Sequence, residues 1–138
     1  MGWHARTAQL IEAGGPELES ALLLLEHAAS GLLHEPAGTD HAGVMAVAEV
    51  HLAVFRLHAS GVQVGPVFEV GPDWVELAEV RPLLVAAEER LVTAVQRLAS
   101  DRGPAVDPEP VAYAAMYTRL ALTALDRGTP NPAVLDHG

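Results

Sequence analysis

Residues 39–61 read TDHAGVMAVAEVHLAVFRLHASG. Thr39 or Asp40 supplies an N-cap and Gly61 a stop, so the span between them predicts a helix running to about Ser60. Val44, Val47, Ala48, Val54 and Phe55 fall on one face of it; Ala46, Val50, Ala53 and Leu57 fall on the other. Only Glu49 and Arg56 mark a narrow polar edge. A helix that is apolar nearly all round is normally enclosed by other elements. This one is therefore expected at the middle of a helical bundle.

The flanking sequence supplies the neighbours. Pro16 suits the first turn of a preceding helix, and Glu17 and Glu19 suit its dipole. Leu18, Leu22, Leu25, Ala29 and Leu32, three and four apart, form its core stripe. It stops near His34, before Glu35-Pro36-Ala37-Gly38, and residues 3–13 predict a shorter helix closed by Gly14-Gly15. Beyond Gly61, Val62-Gln63-Val64-Gly65-Pro66 is echoed by Phe68-Glu69-Val70-Gly71-Pro72, an extended Gly/Pro/Val loop over 61–72. Asp73 is read as the cap of a turn holding Trp74 and Leu77, and Pro82 as a fresh helix start running to about Ser100. Asp107 caps a last helix that begins at Pro108 and closes at Gly128. The expected fold is all-α: an antiparallel bundle of four main helices plus one or two short ones. Residues 1–128 are expected to form a single domain and 129–138 a tail.

Composition removes whole classes of chemistry from this chain. Half the residues are hydrophobic but only 4% are aromatic, so the core is made of Leu, Val and Ala. A net charge of −10 leaves no basic cluster for nucleic acid or an anionic membrane. The run from Val44 to Phe55, interrupted by Glu49 and His51, is read as too short to cross a bilayer, and the N-terminal residues lack the apolar run of a signal peptide. Those features make a cytoplasmic location the expectation. With no cysteine and no lysine there is no thiol nucleophile, no Cys-type metal site and no Schiff base. Phosphate-binding, dinucleotide and hydrolase motifs are missing, as are HExxH and ExxH pairs, so neither a cofactor nor a metal is expected.

What chemistry remains lies in the histidines, five of which fall between residues 27 and 58. His27 and His34 point away from the leucine stripe of their helix and read as a solvated face, or as part of an interface with Leu23 and Leu24. His51 and His58 lie within about 20° of one another on the stripe of Val44, Val47 and Phe55, with Asp40 on the same line. Glu88 lies roughly 40° from the centre of its helix's apolar face, where a carboxylate needs a partner. With the helix after Pro82 as an antiparallel partner, Glu88 comes within roughly 5 Å of the level of His51, and Tyr117 lies near it. The functional reading is a small-molecule pocket, with His51 as general base or acid, Glu88 as its partner and Tyr117 as donor to an oxyanion. His58, Tyr113, Phe55 and Asp40 would contact the substrate. Such a site suits a cofactor-free lyase, isomerase or cyclase. The alternative is a non-catalytic homodimeric interaction module, and a third reading makes His51, His58 and Glu88 metal ligands.

Overall fold

The protein is described here by a computed structural model covering residues 2–13, 15–34, 37, 40–64, 74–100 and 106–128. Among the described residues there are five α-helices: α1 (Trp3–Glu12), α2 (Glu17–Leu32), α3 (His41–Ala59), α4 (Leu77–Ala99) and α5 (Pro108–Gly128). Two of the expected cap residues, Asp40 and Asp107, act as read. The Asp40 carboxylate accepts from the Ala42 N–H at 2.9 Å, and Asp107 accepts from the Glu109 N–H at 3.0 Å. After α3 the chain turns at Gly61, whose φ of 94° suits a residue without a Cβ. Residues 61–64 are non-helical, as expected; Asp73, most of the loop and the tail lie outside the described residues.

One boundary differs from expectation. Pro82 does not restart a helix; α4 runs through it from Leu77. Glu76 and Glu79 organise the first turn, each backbone N–H being taken up at 3.0 Å, that of Glu76 by the Glu79 carboxylate and that of Glu79 by the Glu76 carbonyl. The proline then sits on the solvent side, in the second turn, and removes only the bond to the Ala78 carbonyl.

Contacts between helices fix their directions. Arg81 pairs with Asp126 and Glu88 with Arg119, so α4 and α5 are antiparallel. Arg97 pairs with Glu17 and Arg90 with Ser20, so α2 and α4 are antiparallel as well. The end of α3 meets α2 where His58 faces Glu26, and meets the start of α5 where the Arg56 guanidinium lies 4.6 Å from the Tyr113 ring centre. Each of the four longer helices therefore touches two antiparallel neighbours, in the cyclic order α2, α3, α5, α4. The expectation that α3 and α4 would be antiparallel neighbours is corrected. They sit diagonally and run the same way, and the described ends of their connection lie at opposite ends of the bundle. Val62 bonds to Leu57 at the end of α3, whereas the Val75 carbonyl accepts from Ala37 just before its start.

A single apolar cluster joins all five helices. Alanines line its tightest seam, between α3 (Ala46, Ala53) and α5 (Ala114, Ala121), where small side chains let the helices approach closely. Gly43 is confined elsewhere, since a Cβ there would overlap the Ala37 carbonyl oxygen in the chain just before α3. At the other corner α1 covers α2. Trp3, 2% exposed, donates its indole N–H to the His27 carbonyl at 3.1 Å and stacks on the His27 ring at 4.5 Å. His27 is thus buried, contrary to the solvated face expected for it. Its Nε2 lies 3.0 Å from the Trp3 carbonyl oxygen, which can only accept, so that nitrogen carries the proton. Arg90 of α4 holds the far end of α1, donating to the carbonyls of Leu10, Ile11 and Ala13 and to the Ser20 hydroxyl.

Candidate functional site

Which side of α3 faces inward decides what this protein can do. The buried positions are Ala42, Gly43, Ala46, Val50, Ala53 and Leu57. His51, Phe55 and Val44 lie on the opposite side and are exposed, Phe55 to 65%. This overturns the placement of His51 and His58 on a core-facing stripe. With both faces apolar, hydropathy alone could not choose between them; the small residues of the Ala46/Ala53 face chose, because they admit the closer neighbour.

The three residues assigned to proton transfer share a height but not a site. Arg56 stacks on Tyr113, so in this antiparallel pair His51 is level with Thr118, and Glu88 reaches Arg119 one residue further on. That common level arises through α5 and not through the antiparallel α3/α4 pairing from which it was expected, and the expected rotation of α3 does not hold. His51 points to solvent from the outer side of α3, whereas Glu88 lies at the seam of α4 with α5 on another side of the bundle. There the Glu88 carboxylate is doubly bonded to Arg119, at 2.6 Å from Nε and by a second, shorter contact from Nη2. A bidentate guanidinium occupies the carboxylate's lone pairs. The need for a partner was read correctly; the partner is an arginine. Tyr117 is half-buried and packs against the core.

The residues expected to contact a substrate also disperse. Asp40 is spent as the α3 cap. His58 donates from Nδ1 to the Val62 carbonyl at 3.1 Å and faces Glu26 across 3.7 Å, which ties the end of α3 to α2. Tyr113 lies under Arg56, and Phe55 stands in the open. Among the described residues no group of three or more His, Asp or Glu is close enough to hold a metal ion. One groove of about 350 Å³ lies between Pro16, Gly61 and Val62, where Arg97 is tied to Glu17. Another, of about 500 Å³, runs along Ile11, Pro82 and Val85. Neither is lined by His51, Glu88 or Tyr117.

The arrangement instead exposes a continuous apolar surface. Met45, Ala48, Leu52, Phe55 and Ala59 are all exposed, and they are spaced three, four, three and four apart along α3. That is the spacing of a coiled-coil seam, here facing solvent. Tyr113, Met116 and Leu120 repeat it on the adjacent, antiparallel α5 and are exposed too. Arg56 and Tyr113 bridge the two helices, and the Glu49 side chain lies beside them with one buried oxygen, Oε2, that has no partner among the described residues. Sequence reading missed the seam, although its signal was present: Met45 and Leu52 complete a heptad pattern that the Val44/Phe55 grouping obscured. The other interface considered, around Leu23, Leu24 and His27, is covered by α1 of the same chain, with Leu24 and His27 buried.

By length and hydropathy α3 is also long and apolar enough to cross a membrane, which the expectation of too short a run did not allow for. Compared with known proteins, the chain matches no family model, no curated protein and no solved structure.

Proposed function

We propose that this chain is a non-catalytic helical docking module that binds another macromolecule through the outer faces of α3 and α5. The observation that carries the reading is the solvent-facing heptad seam of α3 beside the matching apolar positions of α5. Large contiguous apolar patches are uncommon on monomeric surfaces and mark sites of association. Helix-on-helix docking needs knobs at this spacing and no catalytic groups. The acid/base reading draws no comparable support, because its imidazole is in solvent and its carboxylate is tied to Arg119. A photo-crosslinking amino acid placed at Leu52 or Phe55, in cells producing the full chain, tests the proposal. Discrete adducts are expected from both positions and none from Gln96, which is exposed on the polar side of α4. Irradiation that yields no adduct from either seam position overturns it.

A further inference from the structure

Resting on that docking reading, we infer that the occupant of the α3/α5 face is a second copy of this chain, related to the first by a two-fold axis. The first argument is area. Seven large side chains on this face (Val44, Met45, Leu52, Phe55, Tyr113, Met116 and Leu120) each stand between 39% and 65% exposed. Together they offer on the order of 600 Å² of side-chain surface, close to the ~800 Å² per partner that a standard stable interface buries.

The second argument is charge. The chain carries a net charge of −10, yet the exposed positions of α3 from Val44 to Ala59 include no carboxylate, and Glu49, half-buried at the border with α5, lies one heptad from Arg56. Two identical acidic molecules repel each other over most of their surface, and this face is where they can approach at least cost. A basic partner would be drawn to the acidic surfaces instead.

The third is self-complementarity. A two-fold axis crossing α3 between His51 and Leu52 sets the two copies of α3 antiparallel. It places Phe55 of each copy opposite Ala48 of the other, and Val44 opposite Ala59. In those two pairs a large side chain meets an alanine, as knobs-into-holes packing favours, while Met45 falls opposite His58 and Leu52 opposite His51. An isologous contact uses the same patch on both molecules and closes on itself, which a single apolar face of this kind fits.

Sedimentation velocity of the full chain across micromolar concentrations provides the test, with Leu52→Asp/Phe55→Asp and Val92→Asp as variants. Val92 is equally exposed, but on α4. Wild type and Val92→Asp are expected to sediment as dimers of the 14.5 kDa chain, with a dissociation constant of about 10 µM or tighter. The double variant is expected to be a monomer, at least about 100-fold weaker in self-association. Circular dichroism and urea unfolding confirm that the variant is folded, since both altered positions point outward. A wild type that stays monomeric throughout overturns the inference, as does a dimer that survives the double substitution. The crosslinking result separates this failure from that of the docking reading. Seam adducts to a different protein, or loss of wild-type but not variant protein onto phosphatidylcholine vesicles, would leave the face as a docking surface with another occupant. A monomer without adducts or vesicle binding removes both.

Discussion

Gly31 shows how much a single position contributes here. A Cβ at that point would come within 2.5 Å of the Trp3 ring, so the glycine is the floor on which the indole rests. The ring in turn closes over His27, and Ser30 shares the indole N–H at 3.0 Å. Gly31→Ala is expected to tilt Trp3 outward and destabilise the protein by about 1–3 kcal/mol, the usual penalty for overpacking. A lowered urea midpoint with a red-shifted tryptophan emission would show it. An unchanged spectrum would mean that Trp3 is not held as described. Arg90 is the polar counterpart. Three carbonyls at the end of α1 depend on its guanidinium, and Arg90→Met is expected to speed amide exchange across Trp3–Glu12 while leaving α5 protected. By contrast, His51→Asn should change unfolding free energy by no more than ~0.5 kcal/mol, because an exposed imidazole with no partner among the described residues holds nothing in place. A large loss would restore the buried placement read from the sequence.

At the scale of elements, α4 tolerates a proline that its sequence advertises as a boundary. The reason is position: one backbone bond is lost, and the first turn already has its donors occupied by Glu76 and Glu79. Pro82→Ala restores the missing N–H and should raise the urea unfolding free energy by about 1–3 kcal/mol. A neutral or negative change would mean that the proline ring itself is needed for packing. Further along the same seam, the guanidinium of Arg81 hydrogen-bonds to Asp126 and holds that carboxyl below its usual value, while Asp126 raises Arg81. A lowered carboxyl pKa contributes stability above the ordinary carboxylate range. That contribution fades as pH falls below ~4, through the folded-state value. The gap in melting temperature between wild type and Asp126→Asn should therefore be small at neutral pH, since the pair is exposed, and should narrow further in acid. A gap that widens in acid would contradict the pairing.

For the whole molecule, helix count, caps and the leucine stripe of α2 were legible because each is a local property. Asp40 and Asp107 announce their helices by residue type, and Leu18 to Leu32 by period. Rotation was not legible for α3, where apolar residues on both sides left only side-chain size to discriminate. Nor was adjacency, because nothing within residues 41–99 says that α3 and α4 lie across the bundle from each other. His27 was misread for a related reason: its partner is a tryptophan 24 positions earlier, delivered by a helix whose docking the sequence does not reveal. The proposed catalytic group inherited both errors, since it required a particular rotation and a particular neighbour at once.

The diagonal placement of α3 and α4 divides the chain into two helical hairpins, α2–α3 and α4–α5, clasped along the α2/α4 and α3/α5 lines. Each half presents an oily cleft shaped for the other. Two molecules that traded halves would reproduce every internal contact without new chemistry. Concentrated protein held near its unfolding transition is therefore expected to form exchanged dimers that separate only on renewed unfolding. Such species would keep Phe55 bare, and a charge there would leave them intact.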